Sequence, residues 1–96
     1  MSHVGELEII YSPANGEIQW YKADGAEVGP DDEILGVVIG VDEKGKKIIT
    51  DIINPLGKGA KGILIILPKA VPEVGIGNSI AVIRVTAILY ASKVNR

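Results

Sequence analysis

Ninety-six residues with ten Lys/Arg against twelve Asp/Glu carry a net charge of −2, and a single domain of this size buries roughly two-thirds of its unfolded surface. With no Cys the chain can build no disulfide scaffold, thiolate metal site or Cys nucleophile, and with only two Arg and no basic run it is a poor nucleic-acid ligand. No Phe and one Trp leave a core of Ile, Val and Leu.

The chain is read as one β domain over residues 1–96. The opening MSHVGELEII lacks a basic segment followed by an apolar run. The stretch Ile80 to Ala91 is too short to span a bilayer and is interrupted by Arg84. The expectation is a cytoplasmic protein without membrane insertion.

Twelve Gly and five Pro leave almost no window long enough for a helix, and β-branched residues fill the intervals. Leu7 to Tyr11 reads as the first strand, closed by Ser12-Pro13-Ala14-Asn15-Gly16, whose Asn-Gly pair predicts a hairpin turn. Glu17 to Lys22 follows, with Ile18 and Trp20 on one face. Asp24-Gly25 and Gly29-Pro30-Asp31-Asp32 predict two tight turns, with Val28 touching the core between them. Trp20 is then expected to be buried near Val28 or Ile34.

Ile34 to Ile53 reads as one long hairpin turning at Glu43-Lys44-Gly45-Lys46, with Gly45 supplying the positive φ. If Glu43 opposes Lys46, Asp42 faces Lys47, and Val41/Ile48, Ile39/Thr50 and Val37/Ile52 share one apolar face. Gly36, Gly40, Val38 and Asp51 then form a flatter opposite side, either a local twist or a surface for another backbone. Asn54 to Gly62 is a loop, and Ile63 to Leu67 is a strand buried on both faces or covered by a partner. Pro68 to Pro72 makes an edge or crossover. Ile80 to Tyr90 is the last strand, with Ile83, Val85, Ala87 and Leu89 inward; a short helix over Thr86 to Lys93 is the disfavoured alternative.

Few residues carry the pattern of a chemical site. His3 is the only histidine, so neither a His-based triad nor a His metal cluster can form. Asp31, Asp32 and Glu33 fit a turn better than a Ca²⁺ loop. Gly57, Lys58, Gly59, Ala60, Lys61 and Gly62 spell G-x-G-x-x-G, but a strand follows where the phosphate-binding motif needs a helix, so two solvated lysines on a loop are the plainer account. No catalytic and no metal residues are assigned, and the chain is read as non-enzymatic.

The spacing of Gly16, Ile18, Trp20, Gly25, Val28, Pro30, Asp32, Ile34 and Val37 resembles the biotinyl/lipoyl-attachment family, whose first half reads G-x-I-x-x-W-x-x-x-x-G-x-x-V-x-x-G-D-x-L-x-x-I. Val74, Gly77, Ile80 and Ile83 repeat the second part of that cadence, so the resemblance covers roughly residues 7 to 85. It implies an all-β, flattened barrel or sandwich of two similar halves related by a pseudo-two-fold, joined by the 34–53 hairpin. It also implies that Lys44, at the hairpin tip, carries lipoate or biotin or belongs to an unmodified docking module. The sequence departs from the family in lacking both the E-x-D-K-A and the M-K-M box.

A structural or assembly role is the alternative, since Thr50 to Ala70 is loosely similar to small Gly-rich domains that decorate phage capsids. In that case the location is a virion. The continuous apolar strands predict a homo-oligomer or a place in a larger protein assembly. An anion-binding module through Gly57 to Gly62 is the third reading.

Overall fold

The computed structural model describes residues 3–67 and 73–89. The expected crossover at 68–72 and the expected chain end beyond Leu89 lie outside these residues. Eight strands carry the fold: β1 (Leu7–Tyr11), β2 (Gly16–Trp20), β3 (Glu27–Val28), β4 (Ile34–Val41), β5 (Lys47–Ile53), β6 (Ala60–Ile66), β7 (Glu73–Val74) and β8 (Ser79–Ile88). They form two antiparallel four-stranded sheets, in the orders β1-β8-β6-β3 and β5-β4-β2-β7. The described residues contain no helix, as the β-branched composition predicts.

The two orders are related by a simple rule. Advancing every strand number by four, with β8 passing to β4, turns one order into the other. The rule extends to residues. Ile18 pairs with Val38 in one sheet as Leu64 pairs with Ile83 in the other, and Trp20 pairs with Gly36 as Ile66 pairs with Ala81. Val28 lies opposite Gly62 as Val74 lies opposite Gly16. Each long central strand also carries an extra residue at the same point. Leu35 is bulged between the Ile34–Ile53 and Gly36–Ile52 pairs, and Ile80 between the Ser79–Tyr11 and Ala81–Ile10 pairs. Both bulged side chains are wholly buried.

The core between the sheets is aliphatic. Ile10, Val28, Leu35, Val38, Ile52, Leu64, Ile80 and Ile83 fill it, and Trp20 and Ile66 pack half-buried against its edge. Trp20, expected to be substantially buried, is partly buried, its indole bordering the core that contains Val28. Val28 is fully buried, as its place between two turns requires. Those turns form where expected: Ala26 N–H donates to Ala23 O (3.0 Å) and Asp32 N–H to Gly29 O (3.0 Å).

Several sequence expectations are corrected. Asn15-Gly16 does not close a hairpin, because β1 and β2 lie in different sheets. Instead Asn15 Oδ1 accepts Ile76 N–H (2.6 Å), and Gly16, at φ +149°, presses so close to β4 that a Cβ would land on Ile39 O. The long hairpin is present, but its register differs by one residue: Val41 faces Lys47, Ile39 faces Ile49 and Val37 faces Asp51. The cause is a three-residue loop, Glu43-Lys44-Gly45, in place of the expected two-residue turn. Asp42 and Lys46 close it through Asp42 N–H to Lys46 O (2.9 Å), with Gly45 in the left-handed region (φ +81°).

A one-residue slip exchanges faces. Gly36, Val38, Gly40, Thr50 and Ile52 therefore look inward with Ile18 and Trp20, while Ile39, Val41, Ile49 and Asp51 look outward. The flat glycine side is not a free surface: Cβ atoms on Gly36 and Gly40 would run into the backbone of Gln19 and Asn15. A third bulge, at Thr86 of β8 opposite the Lys61–Gly62 step, shifts the end of β8, so that Ile88 packs on the core where Ala87 and Leu89 were expected. Of Ile63 to Leu67 only Leu64 is fully buried; its neighbours are half-exposed.

Candidate functional site

The tip of the β4–β5 hairpin is the most prominent feature. Beyond the core the strands project with both faces in solvent: Val41 is 70% exposed, Ile49 58% and Ile48 45%. The loop at their end is nonetheless fixed. Asp42 Oδ1 accepts the amides of Lys44 and Lys46, each at 2.8 Å, and Gly45 N–H donates to Asp42 O (2.9 Å). A short Asp side chain can meet amides two and four residues on because the turn curls them towards it. Lys44 thus has a held backbone and an exposed side chain.

The other predicted residues are placed differently. Gly57 and Lys58 lie in a turn, Gly57 at φ +63°. Ala60, Lys61 and Gly62 already belong to β6, so no helix N-terminus follows the glycines. Lys61 Nζ lies 3.5 Å from Glu27 Oε2, and Gly62 is buried against Val28 and β8. Lys58 and Lys61 therefore serve different surroundings: one sits in an open turn, the other is tied to a neighbouring strand.

The acidic turn is structural. Asp32 Oδ2 accepts Gly29 N–H (2.9 Å), which holds its carboxyl below the ordinary value of 3.8; burial opposes the shift, and Lys22 Nζ, 3.2 Å from Oδ1, adds to it. The buried polar side chains, Ser12 and Asn54, are both satisfied. Ser12 Oγ donates to Ala14 O (2.7 Å). Asn54 Nδ2 donates to Gly29 O (3.2 Å) and Asp32 O (3.0 Å), and its Oδ1 accepts Leu56 N–H (2.9 Å). No group of three or more His, Cys, Asp or Glu among the described residues is arranged to hold a metal ion.

One feature escaped sequence reasoning. An open cleft of about 420 Å³ lies beside β2, β4 and β7, with Glu17, Glu73 and Lys47 among its walls. Glu17 and Glu73 stand directly opposite each other on the β2–β7 pair, an arrangement that costs stability when both are charged. Only the pairing of β7 with β2 creates this juxtaposition, and two residues of strand give no sequence signal of their partner.

No protein-family model matches the chain, and neither the curated proteins nor the solved structures give a match. No helix among the described residues is long and apolar enough to cross a membrane.

Proposed function

We propose that this chain is a non-catalytic module of lipoyl/biotinyl-like architecture that works through its hairpin tip. In this reading the two sheets are the flattened barrel-sandwich of two similar halves, and β4–β5 is the arm that joins them. Lys44 is then the attachment point for a lipoyl or biotinyl group or, left unmodified, part of a docking tip. The observation that carries the proposal is the clamped loop: Asp42 fixes the backbone on either side of an exposed lysine at the end of a projecting hairpin. An attachment lysine needs that combination, a rigid base and an ε-amine open to a modifying enzyme. The repeated strand pairing supports the two-half architecture. When bound, such a group supplies the transfer chemistry; the chain's own contribution is to hold the amine outward and still.

The test is co-expression with a lipoate ligase and, separately, with a biotin ligase, followed by intact mass and sequencing of the 34–55 peptide. An adduct confined to Lys44, and abolished in Lys44→Arg, is the expected result. No adduct with either enzyme removes the carrier role and leaves a docking module.

An assembly role is the second reading, favoured by the exposed apolar side chains Leu7, Ile9, Val41, Ile48, Ile49 and Ile53.

A further inference from the structure

The two sheets have four edges, and they are unequally protected. β3 and β7 are two residues each, too short to template another strand. β1 and β5 offer five and seven residues. Along β5 the hydrogen bonds to β4 alternate, starting from Asp42 N–H to Lys46 O and ending at Asn54 N–H to Glu33 O. With Gly40–Ile48, Val38–Thr50 and Gly36–Ile52 in register, residues 46, 48, 50, 52 and 54 turn their amides and carbonyls towards β4. Lys47, Ile49, Asp51 and Ile53 turn theirs out of the sheet. No proline interrupts β5, and its bulge partner, Leu35, lies near its far end. This edge is long and open.

Its charges are arranged about a centre. Lys47 and Asp51 lie two residues either side of Ile49 on the same outward face, all three exposed. Neither charge has an ion-pair partner among the described residues, whose two ion pairs are Lys22–Asp32 and Lys61–Glu27. If a second β5 is laid antiparallel with Ile49 on the two-fold axis, Lys47 of each strand faces Asp51 of the other. Ile49 then meets its own copy, and the outward amides and carbonyls of 47, 49 and 51 pair in full. Moving the register by two residues sets Lys47 against Ile53 and Ile49 against Asp51, which loses both charge pairs. β1 lacks this property, since Leu7 and Ile9 point their backbones outward without a charge of either sign.

We propose that two copies of this chain join β5 to β5 as an antiparallel pair centred on Ile49, making one continuous eight-stranded sheet. The occupant of the edge is a second copy because the pattern Lys-x-Ile-x-Asp is complementary to itself under a two-fold, and such an interface closes instead of propagating. The inference specifies the assembly reading and stands whether or not Lys44 is modified.

Sedimentation equilibrium of the intact chain should give twice its 10.1 kDa mass. Lys47→Glu, which sets Glu against Asp51 at both ends, should weaken the dimer about tenfold or more, and Asp51→Lys should do the same. The double exchange Lys47→Glu/Asp51→Lys should restore it, a recovery that mere damage to the fold would not give; unchanged circular dichroism checks each variant. Because the chain has no cysteine, Ile49→Cys offers a second readout. Its two sulfurs meet at the axis, where Cα atoms of a hydrogen-bonded pair are about 5.5 Å apart, and should form a disulfide-linked dimer on mild oxidation. Ile53→Cys, roughly 26 Å from its copy in this register, should not. A monomer at high concentration overturns both this contact and the assembly reading. An oligomer indifferent to the charge reversals, or cross-linked equally through Ile53→Cys, retains assembly and overturns the β5 pairing.

Discussion

Gly62→Ala isolates the close approach on which one sheet depends. Gly62 sits where β6 passes between β3 and β8, opposite Val28 on one side and Val85 on the other. A Cβ there would lie 2.7 Å from Ile83 Cγ2 and 3.0 Å from the Arg84 carbonyl carbon, and would land on the Arg84 carbonyl oxygen. Ile83 is fully buried, and β8 is hydrogen-bonded on both sides, so neither neighbour can step back. Replacing Gly by Ala normally gains about 0.4–1 kcal/mol by narrowing the unfolded ensemble. Overpacking of a fixed site costs about 1–3 kcal/mol. Here the steric cost wins, for a net loss of about 2 kcal/mol, which lowers Tm by roughly 8–16 °C in a domain of this size. Thermal melting by circular dichroism and urea unfolding read the change, with the urea m-value unaltered. Gly57→Ala is the comparator: its Cβ meets open space, and its φ of +63° alone costs about 1 kcal/mol. A Gly62→Ala variant as stable as the parent, or more so, would refute the packing of β3, β6 and β8 described above.

Asp32→Asn should destabilise the domain by about 1 kcal/mol at neutral pH, the loss of a partly exposed charge-assisted bond to Gly29 and of the Lys22 pair. The folded pKa lies below 3.8, so the contribution is complete above the ordinary carboxylate range and fades as pH falls through the folded value; the gap between parent and variant should close below about pH 4, and a gap that persists in acid would contradict the assignment. Trp20→Ala should cost about 2–3 kcal/mol, less than a fully enclosed Trp, because the ring packs half-buried at the core's edge. Water-like tryptophan emission from the folded parent would show that the ring does not pack there.

Much of this architecture can be read from residue type and spacing. Pro30-Asp31-Asp32 and Asp24-Gly25 mark turns by local chemistry, and the turns form there. The 34–53 hairpin follows from two apolar runs around a Gly-containing tip. What fails is whatever depends on counting partners across space. The hairpin register slipped because Asp42 captures two amides and admits a third loop residue, and periodicity carries no information on which side of Lys44 the pairing begins. Asn15-Gly16 has hairpin chemistry, yet the chain there changes sheets, and the pull is long-range: Ile76, 61 residues away, is held by Asn15.

The repeat shows the same limit from another side. Aligning Val28 with Val74 is right, whereas matching Ile34 to Ile80 is one residue out. The connection after Val74 is shorter by one, so Leu35 and Ile80 occupy the same bulge. Lys44 was legible as a tip residue, while the clamp that fixes its backbone was not, because it needs the side-chain geometry of Asp42.

The two proposals constrain each other through the geometry of β5. With Ile49 on the axis, each Lys44 lies five residues from it along an extended chain, roughly 17 Å away at about 3.3 Å per residue. Antiparallel strands send the two tips in opposite directions, so a dimer presents its lysines roughly 33 Å apart and facing away from each other. An enzyme that modifies one tip does not then compete for space with an enzyme at the other, and a partner recognising one tip meets no second tip beside it. The exposed apolar side chains sort accordingly. Ile48 and Ile49 lie along the pairing edge, and dimerisation covers them, whereas Val41 lies on β4 nearer the tip and stays open to whatever the tip meets. Under the two proposals together the hairpin divides its labour by residue: the outward backbone of Lys47 to Asp51 would pair with a second copy, and the loop held by Asp42 would carry Lys44 past that paired segment.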